Sequence, residues 1–261
     1  LASDAPYVDL NNTIQQQDHF NFLQNEIKNN ISRLSWINSE NINMRHVLIV
    51  SDGYDFEKKH RIVESLPKDI TIIGVNSSLK KWNVQNRNMN WYLANNPYEQ
   101  AMNFMPRRMR VLPRCIVSPR TNYKFVAGYN GAKYKYYPVN EKSHDTIGKN
   151  EVTWQIDDYR NPICAAIGLA YRFGAEKICL LCCDNSFDTN RDGSEKLKNG
   201  LYQYPQQQIA HGLIDGIFYW LKNSEYFDFQ LADCSSGKEY NFAEYITEED
   251  ILPFFNKVGE K

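Results

Sequence analysis

Short apolar runs separated by charged stretches constrain the fold of this chain more than any other feature of its sequence. Residues 46–50 and residues 69–75 are two such runs, and a charged stretch with a helical pattern, residues 56–66, lies between them. Continuous apolar runs of this length are typical of strands that are buried on both faces. A strand, a helix and a strand within about 30 residues form a βαβ unit, whose right-handed crossover implies a parallel sheet.

The same alternation continues along the rest of the sequence. Further strands are predicted at residues 91–94, 115–117, 177–183 and 227–232. Further helices are predicted at residues 98–105, 162–173, 209–220 and 248–255. The chain is therefore predicted to have an α/β fold, a Rossmann-like three-layer domain with a mostly parallel central sheet.

The sequence divides into two predicted parts, an N-terminal helical segment at residues 1–45 and the Rossmann-like α/β domain at residues 46–261. In the first part, apolar residues three and four positions apart form one stripe of an amphipathic helix. These residues are Phe20, Leu23, Ile27, Ile31 and Leu34. Residues 121–158 are rich in tyrosine, lysine and glycine and have no clean period, so an irregular insert is predicted there, either a hairpin or a mobile flap.

Charge and hydropathy exclude several classes of function. The net charge of -1 gives no global electrostatic signal for binding nucleic acid or an anionic membrane. The longest apolar runs are far shorter than the roughly 20 residues that a membrane span needs, so no span is predicted. The sequence begins at Leu1 without a methionine and without a signal peptide, which is the pattern of a piece cut from a longer protein.

Six cysteines fall mostly inside apolar runs. We predict that they are buried thiols in a reducing compartment, and therefore that the protein is cytoplasmic. Cys179 and Cys182 are three residues apart in a predicted strand, and we expect them to point to opposite faces of the sheet. That arrangement would exclude a redox pair or a zinc clip.

Five of the predicted strands end in small or polar residues, namely Asp52-Gly53, Asn76-Ser77, Asn95-Asn96, Ser118 and Asp184-Asn185. The carboxyl ends of parallel strands line one edge of a sheet, where ligands bind at the topological switch point. We therefore predict a nucleotide site formed by Asp52, Gly53, Asn76, Ser77, Asn96 and Ser118. Neither the G-x-G-x-x-G fingerprint nor the P-loop sequence is present, which argues against NAD, FAD and a P-loop enzyme.

The stretch from Asn161 to Asp184 runs as a small-residue helix, a glycine, an apolar strand and an aspartate. Together with the strand ends at residues 51–56 and 75–79, it resembles the MptE-like 6-hydroxymethylpterin diphosphokinase superfamily over about residues 46–255. The resemblance implies pyrophosphoryl transfer from ATP to a pterin-like or related acceptor. The layout is also similar to that of bacterial CMP-sialic-acid sialyltransferases, which implies the alternative of a glycosyltransferase with a nucleotide-sugar donor.

The first turn departs from the resemblance, because Gly53-Tyr54-Asp55 stands where the superfamily has Gly-Pro-Ser. This departure favours a third possibility, a non-catalytic Rossmann-like module that serves binding or assembly. If the protein is an enzyme, its expected partner is a small-molecule nucleotide. The sequence is also compatible with an oligomer.

Acidic and imidazole side chains near the last strands are the candidates for chemistry. Asp184, Asn185 and Asp188 are predicted to bind an acceptor or Mg²⁺, since Mg²⁺ takes only one or two protein carboxylates beside a substrate phosphate. Residues 188–193 copy the start of an EF-hand loop, but its twelfth position is an asparagine and not the bidentate glutamate that calcium requires. His211 and Asp215 are four apart on a predicted helix, so Asp215 can orient His211 as a general base. His211 and the strand-end residue Asp184 are the candidate catalytic residues.

Overall fold

A computed structural model describes most of the domain and selected residues of the segments around it. The described residues are 21–22, 25–26, 29–30, 34–36, 42–106, 109, 111–138, 155–156, 161–184, 186, 194–196, 202–203, 212–219, 223, 230–235 and 240–257. Among them, no helix combines the length and the apolar character that crossing a membrane requires.

Thirteen strands are found in the described residues. They are β1 (Ser35–Trp36), β2 (His46–Val50), β3 (Thr71–Val75), β4 (Trp91–Ala94), β5 (Arg114–Val117), β6 (Lys133–Lys135), β7 (Tyr137–Pro138), β8 (Gln155–Ile156), β9 (Lys177–Leu181), β10 (Glu195–Lys196), β11 (Tyr202–Gln203), β12 (Gln230–Cys234) and β13 (Glu244–Tyr245). Nine of them form one sheet in the order β1-β6-β5-β4-β3-β2-β9-β12-β13. Every neighbouring pair in this sheet is parallel.

Short helices connect the strands. The α-helices are α1 (Phe56–Lys59), α2 (Ser78–Lys81), α3 (Tyr123–Gly128), α4 (Pro162–Arg172) and α5 (Ile251–Asn256). Three 3₁₀ helices lie at His60–Ser65, Glu99–Phe104 and Glu248–Asp250. Residues 212–219 are also helical.

The central strands consist mostly of apolar residues, because their side chains are buried on both faces of the sheet. On β2, Leu48 and Val50 belong to one core cluster, whereas Val47 and Ile49 belong to the other. Each face is covered by helices, as an all-parallel sheet requires. The Rossmann-like three-layer α/β fold predicted from the sequence is therefore confirmed.

Helix α4 begins and ends at residues that the sequence identifies as helix boundaries. Asn161 caps its N-terminus, since the side-chain oxygen accepts hydrogen bonds from the backbone nitrogens of Ile163 at 2.8 Å and Cys164 at 3.2 Å. Pro162 occupies the first turn, where no backbone N–H is needed. The helix stops before Gly174, whose φ of 81° is a conformation that glycine adopts without strain.

Two predicted helices are tighter and shorter than expected. The stretch 56–66 begins as α1 but continues as a 3₁₀ helix from His60. At that junction the His60 imidazole Nδ1 lies 2.6 Å from the Phe56 carbonyl oxygen, so the side chain shares an acceptor that the backbone also uses. The stretch 98–105 is a 3₁₀ helix at Glu99–Phe104 rather than an α-helix.

The cysteines are buried and free, as predicted, but one detail was wrong. Cys179 and Cys182 do not point to opposite faces, because both belong to the same core cluster. The backbone at Cys182 has a φ of 55°, which ends the regular alternation of the strand one residue after Leu181. Burial raises the pKa of both thiols well above its ordinary value, which disfavours the reactive thiolate.

The described residues of the N-terminal segment, 1–45, and of the predicted insert, 121–158, include helices and strands. In the N-terminal segment, residues 21–22, 25–26 and 29–30 are helical, and β1 joins the edge of the sheet beside β6. Of the predicted apolar stripe, Leu34 is buried, and Phe20, Leu23, Ile27 and Ile31 lie outside the described residues. Within 121–158, α3 and β6 are part of the domain, β7 pairs with β8, and residues 139–154 lie outside the described residues.

Candidate functional site

The chain reverses its direction across the sheet between β2 and β9, which makes this the topological switch point. A crevice is expected there in an open parallel sheet. Instead, the two strand-end turns contact each other directly. The backbone nitrogen of Gly53 donates a hydrogen bond of 2.9 Å to the Cys182 carbonyl oxygen, and the Ser51 nitrogen donates one of 3.1 Å to Leu181.

Gly53 is buried against Asp184 at this contact. A Cβ added to Gly53 would lie 2.0 Å from Asp184 Oδ1 and 2.6 Å from the Cys182 carbonyl oxygen. The position therefore requires glycine because the β9 turn approaches it so closely. The sequence pattern predicted a glycine that lets the backbone approach a nucleotide, whereas in the structure the turn after β9 occupies the space beside Gly53.

Asp184 is almost completely buried, with 1% of its surface exposed. The Ser186 hydroxyl donates a hydrogen bond to its Oδ2. Burial raises the pKa of the Asp184 carboxyl above its ordinary value, and the hydrogen bonds from Ser186 only partly offset that effect. A carboxyl with a raised pKa at a strand end is suited to accept or donate a proton.

Beside the switch point, the ends of β2 and β3 form a connected polar cluster. The Asn76 side-chain nitrogen donates to Ser51 Oγ at 2.9 Å, and the Ser77 hydroxyl donates to the Asp52 carboxylate. Lys81 Nζ lies 3.7 Å from the same carboxylate. The structure thus brings together three of the predicted nucleotide-site residues, Asp52, Asn76 and Ser77.

Asn76 has a φ of 54°, in the left-handed region that asparagine tolerates better than most residues. The Tyr92 hydroxyl donates a hydrogen bond of 2.8 Å to its carbonyl oxygen. The turn after β3 is therefore held by a neighbouring strand as well as by Ser51. These contacts fix the Asn76 backbone at the rim of a neighbouring cleft.

A cleft of about 350 Å³ opens next to this cluster, at the carboxyl ends of β3 and β4. It is lined by Asn76, Tyr92, Leu93, Ala94, Asn95, Asn96, Pro97, Tyr98, Gln100, Ala101, Phe104, Thr121, Phe125 and Pro162. Of the predicted residues, Asn76 and Asn96 line the cleft. Ser118 is fully buried behind it and is not part of the lining.

The described residues that line the cleft carry amides, hydroxyls and aromatic rings, and among them only tyrosine is ionisable. Arg120 lies behind this wall, 1% exposed, and its Nε donates a hydrogen bond of 2.9 Å to Asn95 Oδ1. That bond fixes the orientation of the Asn95 amide. A wall of this kind suits the ring of an uncharged moiety with hydrogen-bonding groups on its edge, such as a nucleoside or a sugar.

The N-terminus of α4 also faces the cleft, through Pro162. The positive end of an 11-residue helix favours a partly negative group nearby. Asn161 already accepts from the first free backbone nitrogens, as described above, so the helix contributes its dipole rather than an empty set of donors. The cleft therefore combines an uncharged lining with a positive electrostatic bias.

A second buried acid lies one strand beyond Asp184. Asp233 on β12 is 1% exposed, and its Oδ1 accepts a hydrogen bond of 3.0 Å from the Ser235 backbone nitrogen. The Ser235 hydroxyl in turn accepts a hydrogen bond of 2.9 Å from the Cys183 nitrogen, which links β12 to the turn that carries Asp184. Burial raises the pKa of Asp233 to about 7.

Several predicted site residues lie outside the described residues, namely Asn185, Asp188 and His211. Asp215, the predicted partner of His211, is described and buried. Its carboxylate oxygens accept hydrogen bonds from the Asn241 backbone nitrogen at 2.7 Å and from the Asn241 side chain at 2.6 Å. Within the described ranges, no three histidine, cysteine, aspartate or glutamate side chains are placed to ligate one metal ion. The magnesium site therefore stays a prediction.

Sequence reasoning missed most of the cleft lining. Asn95 and Asn96 were visible as a polar strand end, but Gln100, Thr121 and Phe125 come from loops and short helices without a diagnostic pattern. Arg120 was visible only as one member of a basic stretch, whose remaining members include Arg107, Arg108 and Arg110, outside the described residues. Its burial distinguishes Arg120 from an exposed arginine, and the sequence carries no signal for that burial.

Comparison with known proteins supports the fold. No family model and no curated protein matches the sequence. The structure is similar to that of the Maf glycosyltransferase from Magnetospirillum magneticum AMB-1, with a TM-score of 0.63 and 12% sequence identity. The similarity covers 92% of this chain and 43% of that chain, so this chain spans less than half the length of the glycosyltransferase. This chain therefore shares the fold of part of a glycosyltransferase.

Proposed function

We propose that this protein is a glycosyltransferase that uses a nucleotide-sugar donor, bound along the carboxyl edge of the sheet. The observation that carries the proposal is the cleft at the ends of β3 and β4, which adjoins the Asp52–Asn76–Ser77 cluster. Adjacent strands lie about 4.8 Å apart, so the end of β9 is about 14 Å from the end of β4 along this edge. An extended donor of several linked groups suits a site of this length.

Each part of the edge has a proposed role. The cleft residues Asn76, Asn95 and Asn96 hold the uncharged ring of the donor through amide hydrogen bonds. Asp184 is the proposed base that takes the proton from an attacking hydroxyl group, because its pKa is raised. Since it is 1% exposed and lies against Gly53, an acceptor or a metal ion must displace that contact to reach it. His211 is a second candidate for this base.

The backbone N–H of Gly53 in the first turn is not available to a phosphate group, whether that group belongs to ATP or to a nucleotide sugar. A phosphate-binding turn presents backbone N–H groups to the anion. Here the Gly53 nitrogen donates to Cys182, and its Cα is covered by Asp184. The preference for glycosyl transfer over pyrophosphoryl transfer from ATP rests on the fold shared with part of the Maf glycosyltransferase.

The experiment is a panel of CMP-, UDP- and GDP-sugars and ATP, with and without Mg²⁺, read by thermal shift and by analysis of the released nucleotide. We expect one class of nucleotide sugar to raise the melting temperature and to release its nucleotide when an acceptor is added. Asn76→Ala should abolish the shift, because it removes an amide from the cleft rim. Asn256→Ala, an exposed asparagine in α5, is the matched control.

The other outcomes identify the competing functions. Conversion of ATP to AMP would replace glycosyl transfer by pyrophosphoryl transfer. Binding without turnover in any combination of donor and acceptor, or no binding at all, would contradict the enzyme and favour a non-catalytic module.

A further inference from the structure

We infer that the N-terminal helix is a working part of the cleft, with Phe22, Glu26 and Asn30 acting as positioning residues for the two loops that form its wall. The inference rests on the proposed function only in assigning a ligand to the cleft. The contacts of Phe22, Glu26 and Asn30 with the two loops do not depend on the proposed function.

The three side chains lie four residues apart, so they share one face of the helix. The Phe22 ring stacks on Tyr98, with 6.2 Å between the ring centroids and 10° between the planes. Glu26 Oε2 accepts a hydrogen bond of 2.6 Å from the Tyr123 backbone nitrogen. Asn30 Nδ2 donates to two carbonyl oxygens, that of Pro119 at 2.9 Å and that of Thr121 at 2.6 Å.

All three contacts end on the cleft wall or directly beside it. Tyr98 and Thr121 are lining residues, from the loops after β4 and after β5. The two loops are joined to each other, because the Asn122 nitrogen donates to the Asn96 carbonyl at 2.9 Å and the Thr121 hydroxyl donates to the Ala94 carbonyl at 2.9 Å. A shift of the helix would therefore move both sides of the wall.

The chemistry of this helix face distinguishes positioning from simple coverage of the core. Glu26 is 4% exposed and Asn30 is fully buried. Burial raises the pKa of the Glu26 carboxyl, which shows that its charged form is costly there. Buried polar groups favour the one arrangement that satisfies their hydrogen bonds, whereas an apolar face tolerates sliding. The helix is therefore held in one register against the loops.

The first test is amide hydrogen exchange, which needs no ligand. Asn30→Ala should accelerate exchange about tenfold in residues 118–123, because the hydrogen bonds that hold the loop are lost. Asn29→Ala, the exposed neighbour on the same helix, should leave exchange unchanged. Glu26→Ala should act like Asn30→Ala, and Glu26→Gln should restore slow exchange because the amide oxygen still accepts from the Tyr123 nitrogen.

The second test measures the dissociation constants of CMP and UDP for the same variants. Asn30→Ala should weaken the binding of the better nucleotide about tenfold while Asn29→Ala has no effect. If neither nucleotide binds the wild-type protein, CMP- and UDP-sugars are excluded as donors in the proposed function, and the exchange experiment still decides this inference. Equal exchange in Asn29→Ala and Asn30→Ala, or an acceleration spread evenly over the central strands, would overturn it.

Discussion

The contact between Gly53 and the β9 turn provides a quantitative test of the strand-end geometry. Gly53 is not in a positive-φ conformation, so Gly53→Ala adds no backbone strain and its effect is steric. The new Cβ would have to be accommodated 2.0 Å from a carboxylate oxygen and 2.6 Å from a carbonyl oxygen. The carboxylate can rotate away, but the Cys182 carbonyl is held by the backbone of a central strand turn.

The expected loss of stability follows from two contributions. Overpacking a tight site costs about 1–3 kcal/mol. Rotation of Asp184 away from Gly53 also gives up its hydrogen bond to Ser186, which costs about 1.5–3 kcal/mol for a charged buried group. We therefore expect Gly53→Ala to lower the free energy of unfolding by about 2.5–6 kcal/mol and the melting temperature by about 10 °C.

Urea unfolding followed by circular dichroism, together with a thermal melt, measures this change. Gly216→Ala is the matched control, since that glycine lies in the helical stretch 212–219 and an added Cβ meets nothing within 4 Å. It should raise stability by about 0.5–1 kcal/mol. The double variant Gly53→Ala/Asp184→Ala should recover part of the loss, because one of the two close contacts disappears.

Two results would refute this reasoning. The first is a Gly53→Ala variant within about 0.5 kcal/mol of the wild-type protein, the range of unconstrained surface changes. The second is strict additivity of the two single changes in the double variant, which would mean that Gly53 and Asp184 do not interact.

Three further predictions concern buried charges. Asp233 has a folded-state pKa of about 7, above the unfolded value, so the free energy of unfolding falls as the pH rises from about 4 to 7. Asp233→Asn should remove this pH dependence, measured by urea unfolding at several pH values, and should raise the free energy of unfolding at pH 8 by up to about 4 kcal/mol. The pKa of Glu26 is raised in the folded state, so the wild-type protein should lose stability as the pH rises above 4.5. Glu26→Gln should lack this loss, which a comparison of the urea midpoints at pH 4.5 and 7.5 measures. Lys177 Nζ donates to the carbonyl oxygens of Phe254 at 2.8 Å, Phe255 at 3.2 Å and Lys257, so Lys177→Met should lower the urea unfolding free energy by about 1–3 kcal/mol; an unchanged midpoint would contradict this anchoring of α5.

The sheet could be predicted from the sequence because its strands are buried on both faces. A strand such as β4, with every residue buried, produces a continuous apolar run that has no other common explanation in a chain of alternating elements. The strand ends follow from the same logic, and Asp52, Asn76 and Ser77 do meet at the carboxyl edge. Whether they bind a nucleotide stays a prediction.

The position of the cleft could not be predicted, because it depends on contacts between distant turns. The sequence pattern placed the site at the switch point, but the hydrogen bond between Gly53 and Cys182 closes the crevice there. The open space lies instead at β3 and β4. The left-handed backbone of Cys182 has no counterpart in the pattern of apolar residues, since alternation predicts a strand that simply continues.

The N-terminal helix illustrates a different limit. Its apolar spacing identified the helix, but the polar residues Glu26 and Asn30 make the contacts that tie it to the cleft. Buried polar side chains are rare enough that hydrophobic periodicity assigns them to the solvent. Only the partners across the fold, the loop residues 119–123, show that this face is covered.

The parallel pairing of β1 with β6 and the hydrogen bond from Asn30 to Thr121 also have a consequence for how the protein folds. The two partners of that hydrogen bond are 91 positions apart in the chain. Contacts between residues so distant carry a loop-closure cost that local strand–helix–strand contacts do not, and they form late. During synthesis the N-terminal helix is made before the loop residues 119–123 that it contacts, and β1 is made before its partner strand at Lys133–Lys135. The central sheet can therefore assemble before the cleft, and the cleft is completed only when the start of the chain closes onto its middle.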